Sequence, residues 1–261
     1  MPHRAHCRTR NSGILRHLVV IGAAALPLWL LGCANMPGED PSAQAARYQA
    51  VIASPLRTDG DHRLDASRKP AQFLPFTQVK PGMSVMDVSA GGGYTSQLLA
   101  LAVEPSGKLW AQTPRPNDNL RKRLADHPQP DFVIVERPFE DPVPPDQVGK
   151  LDLITLVNNY HDITYLPVDR AKMNAHLLAA LKPGGHFVIV DHSGRPGTGI
   201  SEGRTLHRID EAVVRKELAD AGFVLEAEGD FLRNPDDKRD DSSNSPRVPT
   251  DKFALRFVKP R

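Results

Sequence analysis

From about residue 80 onward, this chain alternates short β-branched apolar runs with helical patterns. Such alternation is typical of an α/β fold, in which helices cover both faces of a parallel sheet. It predicts a doubly wound, mostly parallel sheet. The predicted strands span residues 84–88, 108–112, 132–136, 151–157 and 186–191, and two closing strands span 223–232 and 253–258.

Helical patterns separate these strands, and one precedes them. The predicted helices span residues 42–53, 94–102, 117–126, 169–181 and 209–221. In the fourth, Met173, Leu177 and Leu181 recur at helical spacing, and the residues 182–185 (Lys-Pro-Gly-Gly) then end the helix. The segment 234–250 is rich in Asp, Ser, Asn and Pro, so we expect a mobile polar loop, either a lid or a solvated excursion.

A glycine cluster follows the first predicted strand. Residues 85–94 read VMDVSAGGGY, which is a strand, a glycine turn and the start of a helix. Gly91 and Gly93 permit positive φ and let the backbone approach a ligand closely. The helix start offers unpaired N–H groups, and ligands of open parallel sheets collect at the carboxyl ends of strands. The pattern predicts a ligand-binding loop.

This loop resembles that of class I S-adenosylmethionine-dependent methyltransferases. The family motif D/E-x-G-x-G-x-G is matched by Asp87, Gly91 and Gly93. Further similar segments are residues 151–154, 181–185, 159–162 (NYHD), 207–211 (HRIDE) and 232–235 (LRNP). The last three resemble an uncharacterised bacterial branch of predicted methyltransferases. The resemblance covers roughly residues 65–260, and it implies a seven-stranded sheet with an antiparallel edge strand and methyl transfer to a small-molecule acceptor.

The resemblance also implies S-adenosyl-L-methionine as the cofactor. The implied cofactor-binding residues are Asp87, Ser89, Gly91, Gly93, Gln112 and Asn158. Ser89 replaces the first glycine of the motif, which is tolerable where its φ is negative. Gln112 stands where the family has an acid that binds both ribose hydroxyls. A neutral amide can still bind a diol, although charge-assisted hydrogen bonds are stronger.

Polar side chains follow the fourth and fifth predicted strands, whose carboxyl ends should open onto one cleft. The predicted catalytic residues are Tyr160, His161, Asp162 and His192. Either His161 or His192 would be a general base, because the ordinary pKa of histidine is ~6.5. His207 and Arg208 would contact the substrate. In the alternative interpretation, Asp162 and Asp210 are helix caps and His192 is a hydrogen-bonded polar residue at a strand end.

Two further functions use the same scaffold. His161, Asp162, Asp191 and His192 carry imidazole and carboxylate groups suited to Zn, Mn or Fe, although no tight ligand spacing is present. A metal-dependent enzyme or metal-binding protein therefore remains open. A lipid-tethered binding protein without turnover is the other alternative.

The N-terminus predicts export. Arginines at positions 4, 8, 10 and 16 precede an uncharged run over 18–31, which is shorter than the ~20 residues of a membrane span. The run ends in Leu-Leu-Gly-Cys33, which resembles the lipobox of bacterial lipoproteins. We expect a signal peptide over 1–32, lipidation of Cys33, and location at the periplasmic face of the outer membrane, because Ala34 follows the cysteine. Residues 33–64 would form a tether with a helical segment, and 65–261 the methyltransferase-like domain.

Charge and cysteine content exclude other partners. The chain has 33 basic and 31 acidic residues, and removing the four arginines of the signal peptide leaves 29 against 31. No basic surface for nucleic acid is indicated. The only cysteines are Cys7 and Cys33, so a mature chain would form no internal disulfide and no cysteine metal site. The predicted partners are a small-molecule substrate and, through Cys33, a membrane.

Overall fold

In a computed structural model of the protein, which describes residues 40–261, seven strands form one sheet in the order β3-β2-β1-β4-β5-β7-β6. The strands are β1 Ser84–Val88, β2 Lys108–Thr113, β3 Phe132–Glu136, β4 Leu151–Val157, β5 Leu181–His192, β6 Val224–Gly229 and β7 Lys252–Val258. The first five strands are parallel, and β7 runs antiparallel between β5 and β6. The α/β fold with an antiparallel edge is confirmed.

Helices cover both faces of the sheet. They are α1 Pro41–Ile52, α2 Asp59–Arg68, α3 Pro70–Thr77, α4 Tyr94–Val103, α5 Asp118–Asp126, α6 Tyr160–Ile163, α7 Arg170–Ala180, α8 Gly203–Leu206 and α9 Glu211–Asp220. One buried cluster joins α7 and α9 to the sheet through Leu177 and Leu218. A second joins α1, α3 and α4 through Tyr48, Leu74 and Leu98. Burial on both faces explains why the central strands are apolar without alternation.

Two strands, β5 and β6, differ from the prediction by more than one residue in length. β5 begins at Leu181, five residues early, because Leu181 already pairs with Leu151 before a register shift in the ladder. β6 ends at Gly229 instead of 232. A Cβ on Gly229 would lie 2.5 Å from the Phe231 ring, because the chain turns there and Phe231 packs back on the strand. A local sequence pattern cannot predict either strand end, because both depend on contacts that the pattern does not show.

Residues 40–64 belong to the same compact unit as the residues that follow them. Tyr48 of α1 is buried, and its hydroxyl donates to the carbonyl of Val79 at 2.7 Å. The predicted signal peptide over 1–32 and the predicted lipidation site Cys33 lie outside the described residues. Within residues 40–261, no helix combines the length and apolar character that crossing a membrane requires.

Candidate functional site

The glycine loop lies at the carboxyl end of β1, where the strand order reverses between β1 and β4. Open α/β sheets bind ligands at this crevice. Gly91 (φ +55°) and Gly93 (φ +86°) occupy the left-handed region that glycine favours. A Cβ on Gly91 would have nothing nearer than 4.0 Å, whereas one on Gly93 would lie 2.9 Å from Leu120 Cδ1. Gly91 therefore faces open space, and Gly93 is required for packing against α5.

Ser89 also has a positive φ, +61°, and not the negative value that the sequence prediction required. Two contacts hold it there. Its hydroxyl donates to Asn159 Oδ1 at 2.6 Å, and its N–H donates to Gln112 Oε1 at 3.1 Å. A non-glycine residue in this region is strained by roughly 1–3 kcal/mol and persists where its surroundings over-determine it.

A cleft of about 590 Å³ opens above the loop, within the size range of small-molecule sites. Helix α2 forms its opposite wall. The buried guanidinium of Arg123 binds Asp61 of α2 with two bonds of 2.8 and 2.9 Å, and it also donates to the carbonyl of Gly92. Arg68, at the end of α2, also lines this cleft. Helix α2 thus lies beside the glycine loop.

Asp87 lines the same cleft and is almost fully buried. Its carboxylate accepts hydrogen bonds from Ser96 Oγ at 2.6 Å and Thr155 Oγ1 at 2.7 Å. Burial outweighs these hydrogen bonds and raises the pKa of Asp87 to about 6. Asp87 therefore carries its charge at neutral pH and gains a proton in mildly acidic solution.

Gln112 does not line the cleft. It is fully buried, and its amide group bridges two backbone groups, since Oε1 accepts from Ser89 N–H and Nε2 donates to the Arg137 carbonyl at 2.7 Å. The predicted contact with a ribose diol conflicts with this position. Asn119 of α5 lines that end of the cleft instead.

A second cleft, of about 630 Å³, adjoins the first. Leu64, Arg68 and Asn158 line both. Asn158 directly follows β4 and has a φ of +55°, and its Oδ1 is buried without a hydrogen-bond partner among the described residues. A buried unpaired acceptor costs about 1–3 kcal/mol. Asn158 is thus a strained, unsatisfied residue at the junction of two cavities, which favours a ligand-binding role.

The loop 234–250 forms one wall of the second cleft and is held in place, contrary to the predicted mobile excursion. Arg208 is fully buried and donates all five N–H groups of its guanidinium. The acceptors are the Asp237 and Asp241 carboxylates and the carbonyls of Ser193 and Asp241. No donor remains for a substrate, so the predicted substrate contact of Arg208 conflicts with the structure. The aspartates of the loop 234–250 were the signal in the sequence, because a buried arginine such as Arg208 needs carboxylates to bind it.

The predicted histidines form one cluster at the carboxyl ends of β4 and β5. His161 Nδ1 lies 2.6 Å from Asp191 Oδ1, and its Nε2 lies 3.1 Å from Asp162 Oδ1. His207 Nδ1 lies 2.9 Å from that same Asp162 oxygen. Burial opposes a charge on His161, but the carboxylates of Asp191 and Asp162 outweigh it and raise the pKa to about 10. With only these neighbours, His161 carries a proton on both ring nitrogens near neutral pH. A protonated imidazole cannot accept a further proton, so this state opposes a role as a general base.

His192 lines the second cleft, and its Nδ1 lies 2.9 Å from Thr250 Oγ1. Burial, together with the positive charges of Lys252 and His161, lowers the pKa of His192 to about 2. Its imidazole is uncharged at neutral pH and can act as a hydrogen-bond donor or acceptor. Of the two candidate bases, His192 is the one that lines the second cleft.

Tyr160 points away from both clefts. It is fully buried, its hydroxyl donates to Glu217 Oε2 of α9 at 2.6 Å, and the Asn174 amide donates to that hydroxyl at 2.9 Å. Its predicted catalytic role conflicts with this position. Asp210 caps α9 by accepting from Ala212 N–H at 3.0 Å, which agrees with the helix-cap interpretation. Lys252, which sequence reasoning missed, lies almost fully buried in the wall of the second cleft.

The structure does not bring together all four residues of the predicted metal site, His161, Asp162, Asp191 and His192, as ligands of one ion. Asp191 binds the Nδ1 side of His161, and His192 turns toward Thr250. The imidazole of His207, which was predicted to bind substrate, joins His161 and Asp162 instead. The convergence of His161, Asp162 and His207 depends on α6 and α8 meeting, which the sequence alone did not reveal.

Comparisons with known proteins agree with this architecture. No protein-family model and no curated protein sequence matches the chain. Solved structures do. A SAM dependent methyltransferase from Aquifex aeolicus matches with a TM-score of 0.57 at 17% identity, over 82% of this chain and 97% of that one. Geranyl diphosphate C-methyltransferase from Streptomyces coelicolor A3(2), solved with Mg²⁺, geranyl diphosphate and S-adenosyl-L-homocysteine, matches with a TM-score of 0.55 at 14% identity, over 81% and 87%.

These matches show the fold. The chain has the Rossmann-like fold of class I S-adenosylmethionine-dependent methyltransferases. In this chain, the first strand leads into a glycine loop beside α2, and the loop 234–250 forms one wall of a second, adjoining cleft.

Proposed function

We propose that the protein is an S-adenosylmethionine-dependent methyltransferase that acts on a small molecule. The observation that carries the proposal is the meeting of two cavities at Arg68 and Asn158, one above the glycine loop and one beside it. Methyl transfer is an in-line displacement that depends mainly on alignment of donor and acceptor. Two adjoining cavities with a shared wall provide that alignment.

The residues of the first cleft fit the cofactor. Gly91 leaves open space above the loop, and Asn158 Oδ1 is a buried acceptor without a partner among residues 40–261. Bound there, the cofactor would supply an electrophilic methyl group on a sulfonium. The carboxylate of Asp87 would orient its amino group, and backbone N–H groups at the start of α4 would bind its polar atoms. The similarity of fold to proteins that bind S-adenosyl-L-homocysteine supports this assignment.

The second cleft would bind the methyl acceptor. His192 faces this cleft, and its uncharged imidazole can accept a hydrogen bond from an O–H or N–H of the acceptor and so position it. Four cations lie in the wall, and Arg68 and Lys252 are two of them. Arg68 has no ion pair or hydrogen bond among the described residues and stacks 4.8 Å above the Tyr94 ring, while Lys252 bonds only the Ser67 carbonyl, at 3.4 Å. Arg68 is half-buried and Lys252 is almost fully buried, and cations without an ion pair in such positions favour an acceptor that bears an acidic group.

Calorimetry with S-adenosyl-L-homocysteine tests the cofactor assignment. We expect binding by the wild-type chain and about tenfold weaker binding by Asn158→Ala, because a buried hydrogen bond is lost. The exposed Asn244→Ala is the matched control and should bind normally. A folded wild-type protein that binds neither this compound nor S-adenosyl-L-methionine would contradict the proposal.

Turnover tests the acceptor class. Release of S-adenosyl-L-homocysteine is measured with pairs of small molecules that differ by one acidic group. We expect faster release with the acidic member and loss of that preference in Lys252→Met. Cofactor binding without turnover for any acceptor would instead favour a binding protein.

We further propose that the mature chain is anchored by a lipid on Cys33 at the periplasmic face of the outer membrane. The support is the charge pattern and the Leu-Leu-Gly-Cys33 sequence at the N-terminus. Cys33→Ser should release the protein from the membrane fraction, and mass spectrometry should find no acyl groups. Cys7→Ser, in the predicted signal peptide, is the control. Membrane association that survives Cys33→Ser would contradict the anchor.

A further inference from the structure

The cluster of His161, Asp162 and His207 has the geometry of a set of metal ligands. Asp162 Oδ1 lies 3.1 Å from His161 Nε2 and 2.9 Å from His207 Nδ1. The three candidate ligand atoms lie within 4.8 Å of one another. Two adjacent ligand atoms at about 2.1 Å from one octahedral ion are about 3.0 Å apart. The distances from Asp162 Oδ1 to the two histidine nitrogens therefore match the separation that such an ion requires.

Asp191 supplies an independent observation. It is fully buried, and its Oδ1 binds His161 Nδ1 at 2.6 Å, while its Oδ2 accepts the backbone N–H of His161 at 2.8 Å. A carboxylate on one ring nitrogen fixes the tautomer and directs the other nitrogen to a metal, which is the usual support of a ligating histidine. In this structure the directed nitrogen is Nε2, and it faces Asp162.

The acid at the centre of the cluster is supported in the same way. Tyr165 donates its hydroxyl to Asp162 Oδ1 at 2.8 Å, and Asn159 Nδ2 donates to Oδ2 at 3.3 Å. The His161 side chain is 4% exposed, whereas those of Asp162 and His207 are 28% and 26% exposed. An ion would therefore have protein on one side and water on the other, with coordination positions left open.

We propose that His161, Asp162 and His207 bind one divalent transition-metal ion and that Asp191 orients His161. Two imidazoles and one carboxylate suit Zn²⁺, Fe²⁺, Mn²⁺ or Co²⁺, and suit Mg²⁺ and Ca²⁺ poorly. The ion replaces the proton on Nε2, which is released to solvent, and Asp191 keeps the proton on Nδ1. The ion joins α6 to the residue that follows α8. This site is separate from the proposed cofactor cleft and does not depend on it.

The test uses the untagged full-length chain, freed of metal with a chelator and titrated with Co²⁺. Visible d–d absorption and calorimetry report the stoichiometry and the affinity. We expect one ion per chain at the cluster, and His207→Ala should weaken binding at least about 100-fold. His127→Ala removes an exposed imidazole elsewhere on the fold and is the matched control. Histidines 3, 6 and 17 are present in every variant, so differences between variants report the cluster alone.

Two more variants distinguish the three ligands from the residues that surround them. Asp191→Asn should keep the stoichiometry and lower the affinity about 10–100-fold, the usual effect of changing a residue that supports a ligand. His192→Ala should leave Co²⁺ affinity unchanged, because His192 is not a ligand. Circular dichroism of each metal-free variant checks its folding. Failure of the wild type to show the expected absorption, or equal Co²⁺ binding by wild type and a folded His207→Ala, would overturn the proposal.

Discussion

Ser89 shows how single residues shape the ligand loop. A serine occupies a left-handed conformation there because the Asn159 and Gln112 side chains hold its hydroxyl and its N–H. The loop therefore keeps the course that glycine residues allow, at the expense of local strain. The sequence indicated the substitution, but only the tertiary contacts show how it is tolerated.

Gly91→Val tests the loop at this scale. The new side chain would project into the cleft and not into protein, so we expect loss of S-adenosyl-L-homocysteine binding by more than about 100-fold in a folded chain. Gly149→Val is the matched control, since Gly149 also has a positive φ (+73°) and open surroundings but lies before β4, at the opposite end of that strand. Both variants should lose similar stability, about 1–2 kcal/mol, from the strained backbone. Equal cofactor affinity in the two variants would contradict the assignment.

Asp87→Asn tests the pKa of the buried carboxyl. Burial raises the pKa of Asp87 to about 6, so its charge is lost as the pH falls through 6. We expect the affinity of the wild type for S-adenosyl-L-homocysteine to fall over that interval. Asp87→Asn should bind about tenfold more weakly at pH 8 and show little change with pH. Calorimetry from pH 5 to 8 measures this, with the exposed Asp146→Asn as control. Parallel pH profiles of wild type and Asp87→Asn would argue against it.

At the scale of elements, a buried ion pair joins α2 to α5 beside the first cleft. The Asp61 and Arg123 side chains are 5% and 6% exposed. A buried pair is weak support for stability as a whole, but removing one partner leaves an unpaired buried charge and costs about 3–5 kcal/mol. The pair therefore makes α2 and α5 depend on one another across the glycine loop.

Arg123→Met should destabilise the protein by about 3–5 kcal/mol and weaken cofactor binding, because α2 loses its attachment to α5. The double variant Asp61→Leu with Arg123→Met should recover most of the stability. Urea unfolding and calorimetry measure the two effects. Arg121→Met, on the exposed face of the same helix, should change stability by less than about 0.5 kcal/mol. A loss below about 1 kcal/mol in the single variant would show that other contacts hold α2.

At the scale of the whole molecule, Lys252 in the wall of the second cleft lowers the free energy of unfolding. Burial, together with Arg68 and Lys69, lowers the pKa of Lys252 to about 8, well below its ordinary 10.5. The charged lysine is therefore destabilising at neutral pH. Because the folded chain binds the proton less tightly than the unfolded chain, this penalty is complete below pH 8 and is relieved as the pH rises from 8 to about 10.5.

Lys252→Met should therefore stabilise the protein by about 1–3 kcal/mol at pH 7. The gain should shrink above pH 8, where the wild-type lysine loses its charge. Denaturant unfolding at pH 7 and pH 9.5 measures this difference, and Lys150→Met on the surface is the control. A destabilised Lys252→Met would show that the ammonium group has a structural partner.

The sequence by itself determined the strands, five of the helices and the position of the glycine loop. Apolar periodicity and glycine chemistry act over a few neighbouring residues, so β1, the loop through Gly93 and α4 are all readable locally. Pairing between distant residues was decided only by the tertiary structure. Arg208 binds acids of the loop 234–250, although the sequence predicted a contact with substrate. Tyr160 binds Glu217 of α9, and His207 lies beside His161. Such side-chain partners depend on which elements pack together.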